Sequence, residues 1–223
     1  MSKSLIIAID GPAGAGKSSV AKELAKRLNI SHLDTGAMYR ALTLKALRLK
    51  IHLDQEDELA DLAQETVIDF ATDAQKGLRV LLDGEDVTDD IRSLEVTNNT
   101  FYAARASKVR AILVERQKAI GKKQPLVGEG RDLTTVVFPD ATYKFYLDAD
   151  VQERYQRRIK ELKQQGKKFD EEQLKQDMKE RDEKDFSRAV GSLKKAQDAI
   201  VIDSTGLTVG QTADKILKYI KKS

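Results

Sequence analysis

A glycine-rich loop near the start of the chain constrains the fold more than any other sequence feature. Residues 11–18 read Gly-Pro-Ala-Gly-Ala-Gly-Lys-Ser, which fits the pattern of Gly, four residues, Gly, Lys and then Ser or Thr. A continuous apolar run, typical of a strand buried on both faces, precedes the loop at residues 5–9. Residues 19–28 follow with apolar side chains every four positions, which predicts a helix. Strand, loop and helix in this order predict a phosphate-binding P-loop.

The residue types of this loop indicate nucleotide chemistry. Glycines let the backbone turn so that N–H groups point inward, and the helix directs the positive end of its dipole at the phosphates. Lys17 would reach the β- and γ-phosphates of ATP, and the Ser18 hydroxyl would bind Mg²⁺, a cation that prefers oxygen ligands. A turn of small residues without phosphate chemistry is the alternative. The predicted nucleotide-binding residues are Gly11, Pro12, Ala13, Gly14, Ala15, Gly16, Lys17, Ser18 and Ser19.

Apolar runs and helical patterns alternate along most of the chain. Further runs typical of buried strands occupy residues 125–128, 142–147 and 199–202, and a last helix is predicted over residues 209–219. This alternation favours an α/β fold with a parallel sheet flanked by helices.

Two segments depart from this alternation. Short apolar pieces separated by Asp, Gly and Lys occupy residues 65–90 and predict a small antiparallel insert. Residues 151–188 are densely charged and nearly free of Gly and Pro, as exposed helices are. We therefore expect one unit over residues 1–223, with a core of 1–60, 95–150 and 189–223, an insert of 61–94 and a helical segment of 151–188.

Charge and composition narrow the range of partners. The chain has 39 Lys and Arg against 36 Asp and Glu, a formal charge of +3 that predicts no strong field for nucleic acid or a membrane. Cysteine is absent, which excludes disulfides and thiolate metal sites, and no apolar run has the length of a signal peptide or a membrane span. We expect a cytoplasmic monomer whose partners are small molecules.

Other residues separate the classes of P-loop protein. The chain has no Asn-Lys-x-Asp motif, which a GTPase needs to recognise guanine. It also shows no sign of the length or the assembly surfaces of a motor ATPase. A small-molecule kinase needs cations for two phosphate groups, since phosphoryl transfer depends on positioning and positive charge. Two sets of charged residues have helical spacing and would share a face: Arg154, Arg157 and Arg158, and then Arg181, Asp185 and Arg188. Ordinary pairing with surface Glu is the alternative.

Several runs give the chain a resemblance to bacterial cytidylate kinases. They are residues 9–18, 33–40 (Leu-Asp-Thr-Gly-Ala-Met-Tyr-Arg), 90–96, 130–132 with 136–140, 179–182 with Asp185 and Arg188, and 203–207. The resemblance covers nearly the whole chain. It implies an enzyme with the P-loop nucleoside monophosphate kinase fold that transfers the γ-phosphoryl group of ATP to CMP or dCMP. Residues 61–94 would then be a monophosphate-binding insert, and residues 151–188 a mobile lid with the following helix.

The resemblance also implies a role for each matching residue. The acceptor nucleotide would be held near its phosphate by Thr35, Arg40, Arg131 and Arg188, at the cytosine edge by Arg110 and Asp132, and at the ribose by Arg181 and Asp185. Arg157 would cover the ATP phosphates, and residues 203–207 would border adenine. The implied catalytic residues are Lys17, Arg131, Arg157 and Arg188.

Two local patterns have more than one interpretation. Residues 35–37 read as a strand end, a glycine turn and the start of a helix, an arrangement that suits anions. Asp132 beside Arg131 could either orient that arginine or face the amino group of a base, since carboxylates accept from cytosine N4.

Three positions depart from the family pattern. Glu129 replaces an Asp, Thr134 replaces a Gly, and Phe101 replaces a common Ser that would contact the base. Two other functions therefore remain open: a kinase for another small acceptor such as UMP, and a non-catalytic nucleotide-binding protein.

Overall fold

The structure, a computed structural model, describes residues 4–73, 77–164, 166 and 168–220. The strands are β1 Ile6–Asp10, β2 Ser31–Asp34, β3 Ile68–Asp73, β4 Gly77–Leu82, β5 Glu85–Asp86, β6 Leu126–Gly130, β7 Tyr143–Asp148 and β8 Ile200–Asp203. The α-helices are α1 Lys17–Leu28, α2 Thr35–Arg48, α3 Glu56–Glu65, α4 Leu94–Arg105, α5 Ser107–Lys123, α6 Val151–Gln164, α7 Glu171–Ser187 and α8 Val209–Ile220. The chain forms two compact units, one of residues 33–123 and one of residues 1–32 with 124–223.

A five-stranded sheet has the strand order β2-β6-β1-β7-β8. β1 lies in the middle and pairs in parallel with β6 and β7, and β7 pairs in parallel with β8. Ile7, Ile9 and Phe145 are fully buried, because helices cover a parallel sheet on both faces. The predicted α/β class with a parallel sheet is confirmed.

The register of the central strands determines where the functional loops emerge. Asp10 at the end of β1 is aligned with Gly130 at the end of β6 and with Tyr146 near the end of β7. The P-loop and the Arg131 loop therefore leave the sheet side by side at its carboxyl edge. In open α/β sheets this edge is where ligands bind.

The unit of residues 33–123 contains an antiparallel sheet of order β3-β4-β5, which confirms the antiparallel insert. The register pairs Ile68 with Leu82, and both side chains are buried. Helices α2, α3, α4 and α5 make up most of the rest of this unit. In the described part of the chain, no helix is both long and apolar enough to span a bilayer.

Two helix starts differ from the sequence prediction. α1 begins at Lys17 and not at residue 19, since Gly16 caps it in a left-handed conformation with φ of 89°. The glycine turn predicted at residues 35–37 is wrong, because α2 already begins at Thr35 and contains Gly36. The Asp34 side chain accepts from the Ala37 N–H at 2.9 Å, and this cap starts the helix directly after the strand.

Candidate active site

The P-loop backbone has a shape that only glycine allows at its first position. Gly11 has φ of 154°, and a Cβ atom there would lie 1.9 Å from the carbonyl oxygen of Leu147 on β7. Gly14 has φ of 77°, which L-residues rarely adopt. The loop therefore packs directly on the sheet and turns sharply before α1.

Lys17 is buried at the first position of α1, where its Nζ donates to the carbonyl oxygen of Pro12 at 2.7 Å. Burial is the main cause that lowers the pKa of Lys17 to about 7, and the positive charge of Arg131 lowers it further. Glu129 opposes this shift. The ammonium group is held inside its own loop, in an environment where added negative charge would favour its protonated form.

Ser18 is next to a buried carboxylate that the sequence analysis treated only as a departure from the family pattern. The Ser18 hydroxyl donates to Glu129 Oε1 at 2.6 Å, and Glu129 is 5% exposed at the end of β6. A hydroxyl and a carboxylate are the kind of oxygen ligands that Mg²⁺ prefers. These residues fit the cation. Among residues 4–73, 77–164, 166 and 168–220, no group of three His, Cys, Asp or Glu side chains could hold a metal.

The Asp185 carboxylate bridges two of the predicted phosphate-binding arginines. Arg131 Nε donates to Asp185 Oδ2, and Arg188 Nη2 donates to Asp185 Oδ1, each at 2.6 Å. Burial alone would raise the pKa of Asp185, but the charges of Arg131, Arg181 and Arg188 hold it below its usual range. The carboxylate bonded to Arg131 Nε is thus that of Asp185, 54 residues away, and not that of its sequence neighbour Asp132.

The prediction that Arg181, Asp185 and Arg188 share one face of a helix is wrong for Arg188, which lies outside the helix. α7 ends at Ser187, and Arg188 is the residue that follows it, with φ of −58° and ψ of 132°. Its side chain still reaches back to Asp185 and also donates to the carbonyl oxygen of Gly191 at 3.3 Å. Arg181 lies one turn before Asp185 on α7, and burial and the charge of Arg131 lower its pKa.

Two arginines of α6 contact the P-loop. Arg154 Nη1 donates to the carbonyl oxygen of Ala13 at 2.9 Å, and Arg157 Nη1 lies 3.4 Å from the carbonyl oxygen of Ala15. Arg157 also donates to both the carbonyl and hydroxyl oxygens of Ser204, at 2.6 and 3.0 Å. Ser204, which follows β8, is 1% exposed. It therefore anchors Arg157 beside the loop.

Arg158, the third arginine of the predicted face, has a different environment. Its Nη1 donates to Glu161 at 2.7 Å, one turn along the same helix. The alternative of ordinary surface pairing with Glu thus describes Arg158. Sequence spacing alone does not distinguish Arg158 from Arg154 and Arg157, because all three lie within about one turn of helix.

A buried carboxylate that the sequence analysis did not single out supports the loop of Arg131. Asp10, at the end of β1, is fully buried and accepts from the N–H groups of Leu133 and Thr134 at 3.0 and 2.7 Å. The Thr134 hydroxyl donates to the same carboxylate at 2.6 Å. Burial raises the pKa of Asp10, while these hydrogen bonds oppose that shift. Thr134, which replaces a glycine of the family pattern, thus provides through its hydroxyl the third hydrogen bond to Asp10.

Three predicted acceptor residues, Thr35, Arg40 and Arg110, lie in the unit of residues 33–123. Thr35 is 4% exposed at the start of α2. Arg40 Nη1 donates to the Thr97 hydroxyl at 2.7 Å. Arg110 is 2% exposed, and its guanidinium carbon lies 5.7 Å from the centroid of the Tyr39 ring. The roles implied for these residues stay predictions.

Phe101 lies on α4 in this same unit. Its ring forms an edge-to-face pair with Tyr102 at a centroid distance of 6.2 Å, and the Arg105 guanidinium carbon lies 5.4 Å from its centroid. Aromatic and cation–π contacts of this kind fix the ring plane. The ring therefore packs against two side chains of its own helix.

Comparison with known proteins decides the family. The family model for cytidylate kinase matches residues 7–222. The chain belongs to the cytidylate kinase family. This match confirms the resemblance. The matched residues include the glycine loop, the Arg131 segment and the helices α6 and α7.

Curated relatives named cytidylate kinase agree over nearly the full length. The relative from Desulforamulus reducens is 47% identical over 222 residues, covering 100% of this chain and 99% of its own. Those from Alkaliphilus oremlandii and Clostridioides difficile are 46% and 44% identical, covering 96% and 97% of this chain and 97% and 98% of their own. A solved structure of an uncharacterized protein from Eubacterium ventriosum covers 98% of this chain and 99% of its own, with a TM-score of 0.53 and 17% identity, and so supports the fold alone.

Proposed function

We propose that the protein transfers the γ-phosphoryl group of ATP to CMP and dCMP, giving CDP and dCDP. The observation that supports this most is the buried Lys17 at the end of the P-loop, in a chain of the cytidylate kinase family. The positive charges of Arg131 and Arg181 lower the pKa of this lysine. Phosphoryl transfer spreads negative charge over the migrating group, so a cluster of fixed cations at a phosphate loop stabilises its transition state. The acceptor phosphate is itself an anion and needs no strong general base.

On the donor side, the P-loop N–H groups and Lys17 bind the ATP phosphates in this proposal. Phosphate would give the lysine a better partner than the Pro12 carbonyl oxygen and would raise its pKa from about 7, since nearby negative charge favours the ammonium form. Ser18 and Glu129 would hold Mg²⁺, directly or through water. The bound cation would neutralise phosphate charge. Arg157, anchored by Ser204, would face the phosphates as a fixed cation.

On the acceptor side, Arg131 and Arg188 bind the phosphate of CMP in this proposal. Both are oriented by Asp185, whose two oxygens each accept one charge-assisted hydrogen bond at 2.6 Å. A carboxylate has about four acceptor positions, so Asp185 can still accept from ribose hydroxyls. Arg181 would assist at the ribose. The roles that the resemblance implies for Thr35, Arg40, Arg110 and Asp132 belong to the same proposal.

A substrate panel tests this proposal. ADP formation would be measured with CMP, dCMP and UMP in the presence of ATP and Mg²⁺, with Lys17→Ala as the control for contaminating kinases. We expect turnover with CMP and dCMP at a higher kcat/KM than with UMP. Preference for UMP would assign the alternative acceptor, and no turnover with any of the three would indicate a non-catalytic nucleotide-binding protein.

We also propose that residues 151–188 act as a lid. This segment consists mainly of α6 and α7, and α6 carries two arginines that contact the P-loop. Closing lids exclude water and bring cations to the transferring group. Hydrogen exchange with and without a bisubstrate analogue tests this. Greater protection of the segment on binding is expected, and unchanged protection would contradict the lid.

Three broader expectations belong to the same proposal. A CMP kinase would act in pyrimidine nucleotide metabolism and would be found in the cytoplasm, where its nucleotides are.

We also propose that the protein is a monomer with residues 61–94 as its monophosphate-binding insert. Light scattering at micromolar concentration measures the oligomeric state, and a mass of about twice the 24.9 kDa of the chain would contradict the monomer.

A further inference from the structure

Ala13 in the P-loop has both of its backbone polar groups bonded by side chains from outside the loop. Its N–H donates to Asp182 Oδ1 at 3.1 Å, and its carbonyl oxygen accepts from Arg154 Nη1 at 2.9 Å. Arg154 Nη1 also donates to Asp182 Oδ2 at 2.5 Å. The three bonds form a closed ring, which we call the Ala13 clamp. Its side chains come from α6 and α7.

The Ala13 clamp is sheltered from solvent. The Arg154 and Asp182 side chains are only 10% and 14% exposed. A buried ion pair is retained at low cost only when additional hydrogen bonds satisfy its remaining atoms. Here each partner makes one such bond to the same loop residue, and the loop backbone thereby satisfies part of the pair.

Packing around the next loop residue supports the same arrangement. A Cβ atom on Gly14 would lie 3.0 Å from Arg154 Cβ and 3.1 Å from Met178 Cε. The loop therefore lies directly against α6 and α7, with no space for a side chain between them. A rotation of the Ala13 backbone would break both hydrogen bonds and disturb this packing.

A P-loop binds phosphate through backbone N–H groups that must point inward. When the segment of residues 151–188 lies against the loop, the Asp182 carboxylate accepts from the Ala13 N–H and so fixes the orientation of the loop. Arg154 offsets the negative charge of Asp182, so the carboxylate can lie at a phosphate loop without repelling the ligand. A binding loop that is ordered in advance loses less entropy on binding.

We propose that Asp182 and Arg154 are positioning residues that hold the P-loop in its ATP-binding conformation through Ala13. The inference rests on the proposed function in assigning the loop to ATP. It concerns donor binding alone, and its effect does not require the acceptor.

The experiment compares Asp182→Ala with the matched variant Asp177→Ala, which removes an exposed carboxylate from the same helix. The dissociation constant of ATP with Mg²⁺ is measured by calorimetry without an acceptor. Loss of charged hydrogen bonds predicts roughly 10- to 100-fold weaker binding for Asp182→Ala and unchanged binding for Asp177→Ala. In steady-state assays the KM for ATP rises and the KM for CMP does not.

Two further measurements separate positioning from a general loss of structure. Hydrogen exchange of the nucleotide-free protein should show faster exchange in residues 11–17 of Asp182→Ala, with no change in the sheet. Arg154→Ala combined with Asp182→Ala should lose less ATP affinity than the two single effects added, since residues in one network are not additive. Asp182→Asn retains an acceptor oxygen for Ala13 and should bind ATP with intermediate affinity.

Unchanged ATP affinity in folded Asp182→Ala would overturn the proposal, as would an equal rise of both KM values or additive effects in the double variant. If Asp182→Ala does not fold, Asp182→Asn decides the question: it must bind ATP more weakly than wild type. A wild type that binds ATP but does not phosphorylate CMP would refute the proposed function, while the effect of Asp182 on ATP affinity would still test the clamp.

Discussion

The predicted acceptor-binding arginines donate to carboxylate oxygens in one unit and to carbonyl and hydroxyl oxygens in the other. In the unit of residues 1–32 and 124–223, called the P-loop unit below, the Asp185 carboxylate accepts from Arg131 and Arg188 at 2.6 Å. In the unit of residues 33–123, Arg40 and Arg110 donate to the carbonyl oxygens of Ile91 and Ala104 at 3.2 and 3.3 Å, and Arg40 also to a threonine hydroxyl. A carboxylate acceptor adds the attraction of a second full charge to an arginine hydrogen bond, which a neutral carbonyl or hydroxyl oxygen does not. We therefore expect substitutions in the P-loop unit to have the larger effects.

The largest effect is predicted for Lys17→Ala. This change removes a cation that meets phosphate in the transition state, so we expect kcat/KM to fall about 10²- to 10³-fold or more, with the fold retained. Steady-state kinetics and circular dichroism measure the two quantities. Lys22→Ala, at an exposed position of the same helix, should keep full activity. A Lys17→Ala enzyme with more than about a tenth of wild-type activity would refute the P-loop assignment, because a factor of ten is only about 1.4 kcal/mol.

A smaller and more selective effect is predicted for Arg40→Ala in the other unit. Loss of one cation at the acceptor phosphate should raise the KM for CMP roughly 10- to 100-fold and leave the KM for ATP unchanged. Arg48→Ala, on the same helix but in exposed pairs with Glu85 and Asp90, should change neither. An equal rise of both KM values in Arg40→Ala would contradict its place on the acceptor side.

The pH dependence of stability offers a third test. The pKa of Lys17 is about 7 in the folded protein, against 10.5 as its ordinary value. Between these two pH values the unfolded chain binds more protons, so this residue makes the nucleotide-free protein more stable as pH rises from 7 to 10. Lys17→Met removes this contribution and should therefore stabilise the protein more at pH 7 than at pH 10. Urea denaturation of wild type, Lys17→Met and Lys22→Met measures it, and equal shifts at both pH values would contradict a buried, depressed lysine.

The smallest effect concerns base choice at Phe101. If this residue replaces a serine that bonds cytosine, Phe101→Ser should raise the CMP to UMP ratio of kcat/KM by about 2- to 13-fold, the contribution of one neutral hydrogen bond. Phe101→Ala removes the same ring without adding a hydroxyl and should not raise the ratio. We expect wild type to prefer CMP, since Arg110 and Asp132 are present. An identical ratio in wild type and Phe101→Ser would show that residue 101 does not read the base.

Features that depend on local sequence were predictable. The P-loop could be located because its glycines, lysine and serine are contiguous and lie between a buried apolar strand and a helical pattern. The antiparallel insert was predictable for the same reason, since its strands are neighbours in the chain. The start of α2 was missed because the Asp34 side chain replaces a glycine turn as the helix signal.

Contacts between distant charges could not be predicted. Asp182 lies in a segment so rich in charge that its spacing does not distinguish it from solvated neighbours. Asp185 was singled out, but its bond to Arg131 was not, because the partners Arg131 and Ala13 are 54 and 169 residues away from Asp185 and Asp182. Asp10 resembled the last residue of a strand, and only the structure shows its three bonds to residues 133 and 134. The roles of these residues depend on tertiary contacts, and the spacing of apolar residues along the sequence does not indicate such contacts.

The central claim is that the protein moves the γ-phosphoryl group of ATP onto CMP. The most direct measurement follows ATP labelled in its γ-phosphate through a single incubation with CMP and Mg²⁺. The account predicts that the label appears in the β-phosphate of CDP and is absent from inorganic phosphate, and that Lys17→Ala shows neither product. Label released only as inorganic phosphate, with none in CDP, would contradict it.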